Sequence, residues 1–341
     1  MKVLLIGGTG TISGEISKLL LQQGHELWMV NRGKRNVPEG THLIQADIHT
    51  PEGEETITEA ISGVHFDSVA DFIAYHVPDV ERDHKLFAGK TAQYIFISSA
   101  SVYHKPLGNY LVDEGTTLAN PYWKYAQEKI RVERHLMKLY RETGFPVTIV
   151  RPSHTYNETK VPLCLQGTKG CWQVLKRMLD GKPVIIPGDG TSLWTMTDSR
   201  DFAPGFVGLM GNIHAIGEAV QITGDETLNW NQIYKSIAYA LGVELKPYYV
   251  ATQFLTDCAY YDLNGLWGDK VNSIVFNNAK LKSLVPGYHS EIRFDQGVRR
   301  SVAYILEHSE LQVPDPEFDE WCDRVIAAQE EALKRVKEAC Q

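Results

Sequence analysis

A short apolar run over residues 2–6, with Val3, Leu4, Leu5 and Ile6, stops at Gly7-Gly8-Thr9-Gly10-Thr11-Ile12-Ser13-Gly14, and Ile16, Leu19 and Leu20 then recur at helical spacing. A β-branched run bounded by glycine reads as a buried strand, and the recurrence after it as a helix. Strand, glycine turn and helix in that order are the setting a dinucleotide fingerprint requires. Gly7 permits the tight turn and Gly10 lets the backbone approach a pyrophosphate. The helix N-terminus offers that pyrophosphate free N–H groups and positive potential.

The pattern repeats down the first half of the chain. Strands are expected over residues 26–30, 42–46, 68–73, 94–97 and 147–150, and helices over 77–86 and 121–142, the latter with Pro121 near its start. Alternation of this kind predicts an α/β fold, a doubly wound parallel sheet of the Rossmann type. Ligands of such sheets sit at the carboxyl ends of the strands. Gly7, Asn31, Asp47, Ala74, Ser99 and Pro152 all fall there. Beyond Arg151 an irregular stretch over 157–170 breaks the rhythm. Helices follow near 172–179, 202–210, 230–241, 295–308 and 317–339, with strands near 184–186, 219–223 and 245–250. The expectation is a dinucleotide-binding domain over 1–152 and a smaller α/β substrate lobe over 153–341, some of whose segments return to the sheet.

The chain has 341 residues, enough for two lobes, and 22% are charged, as in an ordinary globular protein. A net charge of −8 gives no general attraction to nucleic acid or anionic lipid. No apolar run reaches the ~18 residues of a membrane helix, and residues 3–6 are too short for a secretory leader. Five cysteines without a Cys-x-x-Cys spacing read as reduced thiols of a cytoplasmic protein. No His-x-x-x-His or Cys-x-x-Cys offers a metal site.

At the end of the second strand stands Asn31, then Arg32, with Lys34 and Arg35 close behind, where an NAD-binding chain would place a carboxylate for the ribose. An arginine there accepts a 2′-phosphate, so NADP is favoured over NAD, against the alternative of a solvated basic loop. Asp47 reads either as a partner for the adenine amino group or as a helix cap.

Tyr125 and Lys129 are four apart on one helix face. An unperturbed phenol has a pKa of about 10, and a cation one turn away favours the phenolate. The pair is an acid/base device if a reacting group binds beside it. Taken alone, the same spacing also describes a solvated lysine next to a half-buried tyrosine.

Four motifs occur in order and at matching distances: Gly7-Gly8-Thr9-Gly10, Ser98-Ser99-Ala100-Ser101-Val102-Tyr103, Tyr125-x-x-x-Lys129 and Arg151-Pro152. Together they resemble the extended short-chain dehydrogenase/reductases, the family of NAD-dependent nucleotide-sugar epimerases and dehydratases. Pro187-Gly188-Asp189-Gly190 is similar to that family's Gly-Asp-Gly turn. The resemblance implies that Tyr125 is the general acid/base, that Lys129 holds the ribose and lowers the tyrosine pKa, and that Ser99 bonds the reacting oxygen. It implies a cofactor surface of Gly7, Thr9, Gly10, Thr11, Ile12, Asn31, Arg32, Asp47, Ile48, Phe72, Ala74 and Pro152 with Tyr125 and Lys129. Substrate contacts would come from Tyr75, Ser101, Tyr103, His154 and Trp194. A homodimer through the Tyr125 helix is implied as well.

Three positions depart from the family pattern. Ser13 replaces the third fingerprint glycine, with Gly14 one position late. His154 replaces the asparagine after Arg-Pro-x. Trp194 replaces the arginine that grips a diphosphate, which leaves stacking on a ligand or a place in the core for the indole. The Ser99–Tyr103 segment lacks the carboxylates that dehydration or decarboxylation would use. The expected function is therefore NAD(P)-dependent oxidation, reduction or epimerisation at a hydroxyl or keto carbon of a sugar-like small molecule. The alternative is a cofactor-binding regulatory or RNA-associated protein on the same scaffold, against which the acidic balance argues.

Overall fold

The computed structural model describes residues 1–340. Seven strands form one sheet: β1 (Lys2–Ile6), β2 (Glu26–Asn31), β3 (His42–Gln45), β4 (Ser68–Asp71), β5 (Tyr94–Ile97), β6 (Val147–Pro152) and β7 (Ala219–Ile222). Their order is β7-β6-β5-β4-β1-β2-β3, and every pairing is parallel. The chain winds outward from β1 in both directions. The crevice at the carboxyl ends of β1 and β4, where the winding reverses, is where such sheets take ligands.

Continuous apolar strands suit a sheet covered on both faces. Side chains alternate along β1: Val3 and Leu5 join one core layer, Leu4 and Ile6 the other. The first layer is closed by Ile16 and Leu20 of α1 (Ser13–Gln22) and by Phe202 and Phe206 of the Ser199–Leu209 helix. The second takes Ile57 of α2 (Pro51–Ala60), Val80 and Phe87 of α3 (Val77–Phe87), and Val132 and Leu136 of α4 (Lys124–Thr143).

Several boundaries differ from those read in the sequence. The fourth strand stops at Asp71, because its carboxylate accepts the Ile73 and Ala74 N–H groups and turns the chain there. The long helix starts at Lys124, not at Pro121, since Trp123 is still extended. Tyr125 therefore lies in its first turn. Asp47 caps no helix: Thr50 caps α2 through the Gly53 N–H, and Asp47 instead turns its own backbone by accepting from His49.

The chain divides into two compact units. Met1–Thr155, Thr195–Asp225 and Phe276–Glu291 make the first, and Tyr156–Trp194, Glu226–Val275 and Ile292–Gln341 the second. The division is interleaved: two segments beyond residue 152 belong with the sheet, and β7 is its seventh strand. In the second unit, Val184–Pro187 pairs in parallel with Pro247–Val250, accompanied by helices Trp172–Leu179, Trp230–Leu241, Phe294–Glu307 and Pro316–Ala339. There the buried Arg177 is tied to Asp319 and Asp323 at 2.6 and 2.8 Å.

Candidate active site

The glycine turn leaves β1 with Gly7 at φ +82°, a conformation that disfavours L side chains; a Cβ there would also lie 2.6 Å from Ile73 Cγ2. The serine at the third fingerprint position has a job of its own. Ser13 Oγ donates to the Gly7 carbonyl at 2.7 Å and accepts from the Gly10 N–H at 2.8 Å. Ser17 Oγ donates to the Gly8 carbonyl at 2.8 Å. Two hydroxyls of α1 thus pin the turn. Ile12, which precedes α1, supplies no side-chain cap, so the positive end of this helix is open to an anion.

A cavity of about 670 Å³ lies against this turn. It is lined by Gly7, Thr9 and Gly10, by the apolar Ile48 and Ile73, and by Asn31, Arg32, Lys34 and Arg35. Asp47, Tyr75, His76 and Asp79 also border it. Arg32 is 3.8 Å from the Asp47 carboxylate. Thr11, Ile12 and Phe72 are partly exposed beside the turn and at the end of β4, whereas Ala74 is buried.

Lys129 is 3% exposed on α4. Its Nζ donates to the Ala74 and Ile97 carbonyls, each at 2.8 Å, just beyond β4 and at the end of β5. The ammonium lies 4.4 Å from the ring centre of Tyr75, 4.7 Å from Phe96 and 5.8 Å from Tyr125. Burial pulls its pKa down to about 8, against the opposing pull of Asp71, Asp79 and Glu133. In the unfolded chain the lysine titrates near 10.4. Between pH 8 and about 10.4 the unfolded state therefore binds more protons, and stability rises with pH across that window. Below pH 8 both states are charged and the cost of the buried ammonium is fully present. The difference in stability between the wild type and Lys129→Met should accordingly move toward the wild type by roughly 3 kcal/mol from pH 8 to 10.4. Chemical denaturation at a series of pH values, followed through the transition of the unit that carries α4, measures it, and a pH-independent difference would contradict the assigned charge.

Tyr125 is half-buried, its ring 4.8 Å from Trp123 and 6.3 Å from Tyr75. Ser99 follows β5, and its Oγ accepts hydrogen bonds from the Ser101 N–H at 3.2 Å and the Ser101 hydroxyl at 2.9 Å. Ser101 is itself buried, and its hydroxyl and N–H orient Ser99. Pro152 ends β6, buried, and His154 is half-buried just beyond it.

Two of the expected substrate contacts are buried against partners within the protein. Tyr103 is 0% exposed; its hydroxyl donates to Gln221 at 2.8 Å and Arg151 lies over its ring at 5.2 Å. Trp194 belongs to the second unit, where it is 2% exposed and stacked on Trp230 at 5.7 Å. Trp194 takes the place in the core that the sequence left open for its indole, and the Tyr103 ring packs under Arg151.

Two buried polar clusters under the site escape motif reading. Glu133 takes Arg151 through both oxygens, at 3.0 and 2.6 Å, and also accepts from the Ser98 hydroxyl. The signal for it was the spacing Tyr125, Lys129, Glu133, one face of α4. Asp71 is fully buried beside Asp83, with Arg82 3.4 Å from the first and 2.8 Å from the second. Burial, then repulsion from Asp83, pushes the Asp71 carboxyl well above the usual carboxylate range. Tyr94 donates to Asp83 at 2.6 Å. A carboxylate ending an apolar strand was the sequence signal there.

The model of the NAD dependent epimerase/dehydratase family matches residues 3–223, well over half of the chain. Among curated proteins the chain is similar to 2′-dehydrokanamycin reductase of Streptomyces kanamyceticus, with 23% identity over 297 residues, 84% of this chain and 80% of that protein. It is also similar to chloroplast stem-loop binding protein of 41 kDa b of Arabidopsis thaliana, with 25% identity over 253 residues, 71% of this chain and 63% of that protein. Among solved structures it resembles UDP-glucuronic acid 4-epimerase from Bacillus cereus in complex with NAD, at TM-score 0.69 and 18% identity over 90% of this chain and 97% of that one, a likeness of fold. The match to the family model, over the stretch that builds all seven strands and carries Ser99, Tyr125 and Lys129, establishes that the chain belongs to the NAD-dependent epimerase/dehydratase family.

Proposed function

We propose that this protein is a nicotinamide-dependent oxidoreductase or epimerase acting at a hydroxyl or keto carbon of a sugar-like small molecule, with Tyr125 as general acid/base. The observation that carries the reading is Lys129: a buried ammonium held by two carbonyls and facing Tyr125, next to a cleft floored by a glycine turn.

The cleft fits a dinucleotide. Gly7, Thr9, Gly10, Thr11 and Ile12 would hold the diphosphate at the positive end of α1, Asp47 and Ile48 the adenine, and Phe72, Ala74 and Pro152 the nicotinamide. When bound, such a cofactor accepts or supplies hydride. Tyr125 Oη takes the proton of the substrate hydroxyl when that carbon is oxidised, and returns it when a carbonyl is reduced. The N-terminus of α4 and the Lys129 ammonium both stabilise negative charge developing on that oxygen. Ser99 Oγ, oriented by Ser101, donates to the reacting oxygen. Tyr75 and His154 contact the substrate.

Arg32, Lys34 and Arg35 in the lining of the cleft favour NADP over NAD. Titration calorimetry of the whole chain with each dinucleotide tests the cofactor assignment. Micromolar binding with NADP+ the tighter is expected, and binding of neither dinucleotide would overturn the reading. The names of the relatives, a reductase and an epimerase among them, support a sugar-like substrate. Assembly as a homodimer through α4 in the cytoplasm belongs to the same proposal; a sedimentation run showing only monomer at micromolar concentration would remove the dimer.

A second reading, RNA association, is favoured only by the similarity to a stem-loop binding protein. Strongly salt-dependent retention of a stem-loop RNA in filter binding would support it.

A further inference from the structure

We propose that Asn31 is a specificity-determining positioning residue: it holds the basic loop over residues 32–35 in place so that the cleft selects a 2′-phosphorylated dinucleotide. The inference deepens the cofactor assignment above and rests on it.

Asn31 ends β2 and borders the cleft. Both ends of its amide are also engaged within the protein. Nδ2 donates to Thr9 Oγ1 at 3.0 Å, and Oδ1 accepts from the Gly33 N–H at 3.1 Å. Arg35 Nη1 donates to the Thr9 carbonyl at 2.9 Å. Thr9 is thus gripped from the opposite strand end by a side chain and by a loop guanidinium, and the segment from Asn31 to Arg35 closes into a hydrogen-bonded ring upon it. The path of that loop is narrowly set. Gly33 stands at φ +77°, and a Cβ there would meet Gln45 Nε2 at 2.6 Å. Held this way, Arg32, Lys34 and Arg35 all border the cavity.

The glycine turn does not depend on Asn31 for its shape. Ser13 ties Gly7 to Gly10, and Ser17 ties Gly8, from the other side. Removing the Asn31 amide therefore frees the basic loop and the Thr9 hydroxyl, while Gly7, Gly8 and Gly10 of the diphosphate-facing turn stay tied. The loss falls on the part of a ligand that only the basic loop meets, a phosphate on the 2′ position. Removing the Ser13 hydroxyl has the opposite signature, because the turn serves both dinucleotides alike.

The test is calorimetric titration of the whole chain with NADP+ and with NAD+, for the wild type, Asn31→Ala, Asn31→Asp and Ser13→Ala, each checked for an unchanged circular dichroism spectrum. Two lost hydrogen bonds predict that Asn31→Ala weakens NADP+ by about tenfold and NAD+ by no more than about twofold. Asn31→Asp keeps the acceptor for Gly33 but sets a carboxylate beside the phosphate, so its NADP+ to NAD+ affinity ratio should be the lowest of the four. Ser13→Ala should weaken both ligands by a similar factor. Equal weakening of both by Asn31→Ala, or no weakening of either, overturns the inference and leaves the cofactor assignment standing. A wild type that binds neither dinucleotide overturns both.

Discussion

Replacing Tyr125 with phenylalanine is expected to lower turnover on any substrate by roughly 10²–10⁴-fold, the usual contribution of a positioned proton-transfer group. The change removes one oxygen and keeps the ring that packs at 4.8 Å on Trp123 and 6.3 Å from Tyr75. Dinucleotide affinity should therefore stay within a few-fold of the wild type, because the cleft residues are untouched. Single-turnover measurements that follow the nicotinamide absorbance separate the two quantities. Full turnover in Tyr125→Phe would move the proton-handling role elsewhere, and a parallel loss of cofactor binding would show that the hydroxyl holds the cofactor as well. Lys129→Met provides the contrast, since it removes the ammonium that faces Tyr125 and also leaves the Ala74 and Ile97 carbonyls without their donor.

The second large effect is on stability. Glu133 and Arg151 are 2% and 4% exposed and form a two-pronged ion pair. Burial works against the charge of Arg151, and Glu133 more than offsets it, raising the guanidinium above its ordinary pKa. Glu133→Ala strands a buried cation and releases the Ser98 hydroxyl, at a cost of about 3–5 kcal/mol. Glu133→Gln keeps the shape and most acceptors, and should cost distinctly less. Because the chain has two compact units, a single unfolding midpoint is a poor measure. Hydrogen exchange of the α4 amides, read locally, is the sharper test. Protection in Glu133→Ala equal to the wild type would show that the pair contributes nothing net. Since α4 carries Tyr125 and Lys129, loss of this anchor should also lower activity in proportion to the loosened helix.

The parallel sheet was readable from sequence because its signals are local. An apolar run ending in glycine and followed by a 3.6-residue recurrence describes β1, the turn and α1 without reference to any distant residue. The same holds for Tyr125 and Lys129, whose shared face follows from helix geometry once the segment is helical. The start of that helix was misread by three residues, since Pro121 is a permissive signal and the extended Trp123 answers to its packing against Tyr125. The surroundings of Trp194 and Tyr103 were not legible for a different reason. Whether a ring faces a ligand or the core depends on what packs against it, and Trp230, Gln221 and Arg151 come from distant parts of the chain.

Ser13 shows how the two levels divide. By sequence it is a missing glycine, a fault in the fingerprint. In three dimensions its hydroxyl bridges Gly7 and Gly10 and closes the turn. Asn31 divides in the same way, a missing carboxylate in the sequence and a strut between two loops in the structure. Periodicity and turn chemistry, which depend on near neighbours, determined the order of strands and helices and the residue types at the strand ends. The partners of those residues were decided by tertiary structure alone: Lys129 with Ala74 and Ile97, Glu133 with Arg151, Asp71 with Arg82. The reason is physical. A buried polar group must be satisfied by whatever the fold brings within about 3 Å, and that choice is made across the sheet, not along the chain.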